Sequence, residues 1–348
     1  MGRKLLWSSL ALAPVAIVVH LAFHPGGTVD FVLASAALVP LAWLIGEATE
    51  QAAHHTGPGI GGFLNATFGN APELIIALFA VSDGLFEVVR GSLSGSVIGN
   101  LLLVLGFSLL FGGRGELDRV SAFVSVALVA VAVLLFLIPA VPAFGLADPD
   151  DGLHYAYLSI GPSVVLLVLY LVVTYQALRR HRELHIGQPA TTADAWPMWM
   201  AIGVLGVATV VTAVIAEILV GSIEEFGENA GLSEFFVAAV IIAIVGNAAE
   251  HGGAVVVAAR GQIKLAAEIA LASSAQVAVF LIPAVALLAW AIDPLALAFR
   301  EVELIVLAGA VVLTAALLAD GRSSRGKGLM LIAAYAGAAV AFFAAGDR

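Results

Sequence analysis

The sequence predicts an all-α membrane protein with eleven transmembrane helices, one leading helix followed by two inverted repeats of five. Three observations lead there: the composition, the sidedness of the basic residues and a repeated motif. Of 348 residues, 61% are hydrophobic and only 11% charged, too little polar surface to cover a soluble globule. A spanning helix needs ~20 mainly apolar residues, and such stretches recur along nearly the whole chain, leaving no room for a soluble domain. There is no cysteine, which excludes disulfides, thiolate metal sites and sulfur nucleophiles.

The predicted spans are 5–23, 29–53, 60–82, 92–111, 120–141, 156–177, 197–223, 234–259, 265–290, 300–319 and 328–345. They are too long and too evenly apolar for barrel strands, and only helices otherwise satisfy their own backbone in hydrocarbon. The first span follows Arg3 and Lys4 as a signal peptide would, but no small-residue cleavage site follows it, so it is read as a helix. Residues 1–348 form a single transmembrane domain, divided into the first helix (1–28), a first repeat (29–178), a linker (179–195) and a second repeat (196–348).

Basic residues accumulate on the cytoplasmic side of short loops. With the N-terminus inside, Arg3, Lys4, Arg114, Arg119, Arg179, Arg180, Arg182, Arg260, Lys264, Arg322, Arg325 and Lys327 fall on that side, and only Arg90, Arg300 and Arg348 fall outside. Adding or removing a helix in mid-chain scrambles this partition. It places the C-terminus outside and makes Arg179 to His185 a basic cytoplasmic linker. The outer loops are acidic instead, with Asp83, Glu87, Asp148, Asp150, Asp151, Glu224, Glu225, Glu228 and Glu234. They read as solvated loops, or as a field that gathers cations. None has the alternating ligands and central glycine of an EF-hand loop.

Within the third span stands Gly69-Asn70-Ala71-Pro72-Glu73, and within the eighth Gly246-Asn247-Ala248-Ala249-Glu250, displaced by 177 residues and identical at four of five positions. The same displacement pairs Ala77 with Ala254, Gly84 with Gly261, and Ser96 with Ser273. Five helices per half place the halves in opposite orientation, the plan of many secondary transporters, which hold substrate where interrupted helices meet near the midplane. Pro72 and the preceding glycine supply an interruption in the first half, whereas the second must rest on glycine alone.

Asn70 and Glu73, like Asn247 and Glu250, are three apart and share a helix face. A carboxylate at mid-membrane costs ~2.5–3.5 kcal/mol even on a lenient insertion scale, so it must be paired, protonated or bound to a cation. No Lys or Arg lies within these two spans. Two carboxylates balance one divalent cation or two protons, while the empty pair is doubly charged and crosses reluctantly, which is a basis for exchange rather than leak. Carboxylate, amide and carbonyl oxygens suit hard cations, calcium with its 6–8 flexible oxygen ligands more than magnesium. Manganese, sodium and potassium stay open. A helix-packing seam explains the glycines and asparagines but not a glutamate placed identically in each half.

Auxiliary candidates are Ser96 and Asn100 on the fourth span, Ser273, Ser274 and Gln276 on the ninth, His251, which points about 100° from Glu250 around its helix, Glu50 with Glu47 on the second, and Glu217 on the seventh. Asn100 and Gln276 are one position out of register, hence analogous rather than equivalent. Interhelical packing or interfacial placement serves for all of these equally well. His54, His55 and the linker histidines are candidates for pH sensing, or for solvated loop.

At these residues the chain resembles the calcium/cation antiporter superfamily and, within it, the calcium/proton exchangers of microbes, plants and fungi. The resemblance covers nearly the full length and rests on GGFLNATFGNAPELIIALFA and VGNAAEHGGAVVVA, with GSVIGNLLLVLG and ASSAQVAVFLIPA on the flanking spans. It implies that Glu73 and Glu250 bind calcium and protons alternately, with Asn70 and Asn247 beside them, and that the first and sixth helices slide against the rest. Asn-Ala before each glutamate, in place of the Ser- and Thr-rich motifs of sodium-coupled members, favours protons as counter-ion. The basic linker departs from the acidic helix that eukaryotic relatives often carry there. No cofactor is implied beyond transported Ca2+ and H+, and no nucleic acid. The chain is expected in a prokaryotic cytoplasmic membrane, as a transporter and not an enzyme. Rival readings are a cation channel, disfavoured because selectivity rings usually come from oligomeric symmetry, and an intramembrane hydrolase using Ser94 or Ser273, for which no zinc-protease pattern exists.

Overall fold

The structure, a computed structural model, describes residues 2–144, 153–184 and 196–347. Nearly all of it is helical: α1 Lys4–Phe23, α2 Gly27–Phe68, α3 Ala71–Ser82, α4 Phe86–Gly112, α5 Arg119–Ala143, α6 His154–Leu184, α7 Met198–Gly221, α8 Ile223–Ala230, α9 Glu234–Gly246, α10 Ala248–Ala259, α11 Ile263–Ala291, α12 Glu301–Leu318 and α13 Arg325–Ala345. Among the described residues nine helices are long and apolar enough to cross a bilayer, or ten if α8 and α9, bent by 108°, count as one span.

Two boundaries differ from expectation. The third span does not open a new helix at residue 60, because α2 runs on through Pro58 to Phe68. A proline within a helix removes one backbone donor, and the other bonds carry the helix past it. Likewise α6 continues to Leu184, since Ala, Leu, Arg and Glu in this stretch are good helix formers. The rest of the linker, with His185, lies outside the described residues, as do Asp148, Asp150 and Asp151.

The chain forms two compact units that each draw on both sequence halves: residues 1–79 with 168–226, and residues 80–167 with 227–348. In the first unit α2 packs along α7 through a core of Ile45, Ala48, Ala71, Leu205 and Ala208, with Leu44, Phe68, Trp196 and Val204 around it. At one end the Trp7 ring meets Trp43 at 5.4 Å and Trp196 at 6.3 Å. There Trp196 N–H also donates to Gln51 Oε1 at 3.0 Å, and its carbonyl accepts from His55 Nε2 at 2.7 Å. At the other end His20 Nδ1 lies 2.8 Å from Asp30 Oδ2 and Phe31 stacks on Phe226 at 4.0 Å.

In the second unit α4 is the spine. Its most apolar window is 83% buried, against 67% or less in any other span, and small residues allow that depth by letting backbones approach. A Cβ at Gly95 would lie 2.1 Å from the Ala239 carbonyl of α9, and one at Gly328 of α13 would lie 2.6 Å from the Gly106 carbonyl. Both α4 and α11 widen in mid-course into π-helical turns, at Gly99–Val104 and Val277–Leu281, a feature that often marks functional sites.

The loops predicted to share a side do converge in this unit. Short strands β1 (Gly115–Glu116) and β2 (Arg322–Ser323) pair antiparallel, Glu116 opposite Arg322, and Lys264 Nζ lies 3.2 Å from Asp118 Oδ2, so the stretches after α4, α10 and α12 meet at one end. At the opposite end Arg300 lies 3.9 Å from Glu87 and donates to Ala345 O at 3.0 Å, while Phe235 N–H donates to Asp347 Oδ1 at 3.1 Å.

Arg90, expected in an outer loop, is instead buried inside α4 at 2% exposure, its Nη1 donating to Ala296 O at 3.1 Å. The reason is its partner. The chain between α11 and α12 is not a solvated loop but buried non-helical backbone, with Leu295–Phe299 at 0–1% exposure. Non-helical backbone at membrane depth survives only when buried in protein and hydrogen-bonded, and side chains supply the bonds here: Arg90 to the Ala296 carbonyl, and Ser159 Oγ accepting from Leu297 N at 2.8 Å.

Candidate functional site

Both repeated motifs break their helices, and they break them alike. In the first unit α2 ends at Phe68, Gly69 and Asn70 turn, and α3 starts at Ala71. The Asn70 carbonyl accepts from Leu74 N at 3.0 Å, so Asn70 heads the new helix. Pro72 then falls in the first turn, where the missing donor would have had no intrahelical partner anyway. Glu73 lies in that same turn at 8% exposure, with Asn70 at 1%.

In the second unit α9 ends at Gly246, Asn247 sits at φ −92°, ψ 3°, and α10 starts at Ala248. The Asn247 carbonyl accepts from His251 N at 2.9 Å. Asn70 with Leu74 and Asn247 with His251 keep the 177-residue displacement, so the structural break follows the sequence repeat residue for residue. No proline was needed in the second half, since the bridge-region conformation of Asn247 suffices. Each glutamate sits at the positive end of a helix, where negative charge is favoured.

The surroundings of Glu250 are richly polar. Ser273 Oγ donates to Glu250 Oε2 at 2.5 Å, and Asn100 Nδ2 donates to Ser273 Oγ at 3.2 Å. Asn247 Nδ2 donates to Ser96 Oγ at 2.8 Å and to Ala243 O at 3.1 Å. Its Oδ1 is buried and finds no hydrogen-bond partner among the described residues. A lone-pair oxygen so held is an acceptor waiting for a donor or a cation. Thus α4 and α11 bring Ser96, Asn100 and Ser273 to the α9–α10 break.

Other candidates fare differently. Ser274 Oγ is committed to the Val97 carbonyl at 3.1 Å and ties α11 to α4. Gln276 is half-buried next to the π-helical turn of α11 and, among the described residues, makes no hydrogen bond to the cluster. His251 is half-buried, with Nε2 unbonded among the described residues. Glu50 and Glu217 are exposed, while Glu47 accepts from Gln51 Nε2 at 3.3 Å on its own helix. The structure places neither Glu50 nor Glu217 in a polar cluster.

Sequence reasoning missed Glu303, which has 0% exposure and accepts from Ser94 Oγ at 2.6 Å and Arg300 N at 2.7 Å. The available signal was the apolar run Leu295–Phe299, since an apolar loop asks to be buried and its carbonyls then need donors.

A helical membrane protein whose broken helices carry carboxylates at the breaks belongs to the class of secondary transporters. The sequence pattern of the sodium/calcium exchanger protein family matches residues 27–179 and 200–344, and the chain belongs to that family. It is 36% identical to a Ca(2+)/H(+) antiporter of Synechocystis sp. over 96% of this chain and 95% of that one. With the Ca(2+)/H(+) antiporter ChaA of Bacillus subtilis it shares 38% identity over 95% and 96% of the two chains. Its fold superposes on native YfkE with a TM-score of 0.81 at 34% identity, covering 99% of this chain and all of the other.

Proposed function

We propose that the chain is a secondary active Ca2+/H+ antiporter that expels calcium in exchange for protons by alternating access, with Glu73 and Glu250 taking up cation and protons in turn. The observation that carries the reading is the matched pair of helix breaks, each headed by an asparagine carbonyl and each followed by a glutamate in the next first turn. The relatives named as Ca2+/H+ antiporters, similar along nearly their whole length, support calcium and protons as the exchanged ions.

Each half contributes one carboxylate and one asparagine, and the oxygen set around Glu250 is carboxylate, amide and hydroxyl, which suits a hard divalent cation. With calcium, the two negative charges are neutralised by the cation. With protons, Ser273 still has an acceptor at Glu250, so the hydrogen-bond frame survives either load. The empty doubly charged pair lacks that compensation, and this asymmetry couples the two fluxes. Eleven crossings, two inverted halves, a cytoplasmic N-terminus and a prokaryotic cytoplasmic membrane complete the reading, and transport rather than enzymatic turnover needs no cofactor.

The test is calcium flux into proteoliposomes under an imposed pH gradient, with an internal pH dye read in parallel and Glu250→Gln as control. Calcium-dependent proton movement that disappears in the variant is the expected result. Calcium movement without protons, driven equally well by a sodium gradient, would assign the counter-ion to sodium instead.

A further inference from the structure

In the second unit, at the end opposite the β1–β2 pair, charged side chains collect around Glu303 away from the Asn247–Glu250 site. The Glu303 carboxylate receives Ser94 Oγ on one oxygen and Arg300 N on the other. Arg90 holds the Ala296 carbonyl of the buried non-helical segment. Arg300 spreads over the Phe235 ring at 4.5 Å and donates to the carbonyls of Ala345 and Gly346. This ionic cluster thus joins α4, the segment before α12, α12 itself and the end of α13.

Its link to the ligand residues runs through α4. Ser94 and Ser96 are two residues apart, about 200° around the helix, so when Ser94 is turned to Glu303, Ser96 is turned away, to Asn247. Asn100 lies one turn beyond Ser96 on the same face and reaches Ser273, the donor to Glu250. Close packing at Gly95 against the Ala239 carbonyl fixes how near α4 and α9 lie, but glycine has no side chain to fix the rotation or the height of α4. A short hydrogen bond to a buried carboxylate does fix both, and buried polar networks, when satisfied, specify one arrangement where apolar contacts permit several.

We propose that Glu303 is a positioning residue for the cation site: held by the Arg300 backbone amide, it anchors Ser94 and so sets the rotation of α4 that presents Ser96 to Asn247 and Asn100 to Ser273. The proposal rests on the exchange reading above. Glu303 touches neither ion, and its effect passes wholly through α4.

Proteoliposomes with an imposed pH gradient give apparent KM and Vmax for calcium in wild type, Glu303→Gln, Ser94→Ala and the double variant. Ser94→Ala severs the link to α4 without unpairing a buried charge, so it serves if Glu303→Gln does not fold. Expected are a several-fold rise in KM in each single variant with Vmax nearly kept, and a double variant no worse than the poorer single. An unchanged KM with Vmax falling in step with the amount of folded protein would reduce the cluster to a scaffold and overturn the proposal, as would additive effects in the double variant. Wild-type protein that moves calcium without protons would instead overturn the exchange reading itself.

Discussion

At Asn247 the main chain and the side chain do separate work. The carbonyl starts α10 by accepting from His251 N, the amide nitrogen ties Ser96 and the Ala243 carbonyl, and the buried Oδ1 is left as an acceptor. Glu250 depends on a neighbour in the same way, through the Ser273 hydroxyl. A hydrogen bond to a charged group is worth ~1.5–3 kcal/mol, so Ser273→Ala is expected to weaken apparent calcium affinity by about tenfold or more, measured as the calcium dependence of flux. The glutamates themselves are less forgiving. Glu73→Gln or Glu250→Gln removes the charge and the titrating group together, and coupled exchange should vanish while the protein still inserts and elutes as a folded species. Retained exchange in either variant would show that the other carboxylate suffices.

Among the elements, α4 and the β1–β2 corner carry the clearest expectations. A methyl at Gly95 would meet a backbone carbonyl at 2.1 Å, and backbone cannot swing aside as a side chain can. Gly95→Ala should therefore cost several degrees or more of melting temperature in detergent, whereas Gly203→Ala on α7, where nothing lies within 4 Å, should be neutral or slightly stabilising because alanine is the better helix former. At the corner, Asp118 caps α5 by accepting from Ser121 N at 3.0 Å and Val120 N at 3.1 Å, and it faces Lys264. These donors, the Ser121 amide foremost, hold its carboxyl below the usual carboxylate range. A depressed folded-state pKa means stability present above the ordinary value of about 3.9 and lost as pH falls through the lowered one. Asp118→Asn should thus melt earlier than wild type at pH 7, with the gap narrowing as pH falls below about 3.9, as thermal scans at neutral and acid pH would show. The helix breaks at Asn70 and Asn247 were legible in the sequence because glycine, asparagine and glutamate recur there at fixed displacement. Arg90 and Glu303 were not, because charges near the ends of apolar runs look alike whether they face water or a buried carbonyl. The continuation of α2 through Pro58 was hidden for a related reason: proline signals a missing donor, and one missing donor does not end a helix.

Across the whole molecule sidedness is directly measurable, because the chain has no cysteine. Positive residues prefer the cytoplasmic side, and in the second unit Arg114, Arg119, Lys264, Arg322, Arg325 and Lys327 belong to stretches at or beside the β1–β2 corner. At the opposite end lie Glu87, Arg300 and Asp347. Exposed positions from both ends accept a probe without touching the candidate site: Arg260 and Gly326 on the basic side, Glu228 and Asp293 on the other. Single variants Arg260→Cys, Gly326→Cys, Glu228→Cys and Asp293→Cys, treated in intact cells with a membrane-impermeant maleimide, should label at Glu228→Cys and Asp293→Cys only, and the pattern should reverse in inside-out vesicles. A full swap between the two preparations would reverse the orientation while leaving the number of crossings intact. Labelling of Arg260→Cys and Asp293→Cys from the same side would mean that α11 does not cross, and the proposed inverted relation between the two halves would fall with it. That relation matters for transport because only oppositely oriented halves give the two glutamate motifs equivalent access from opposite faces.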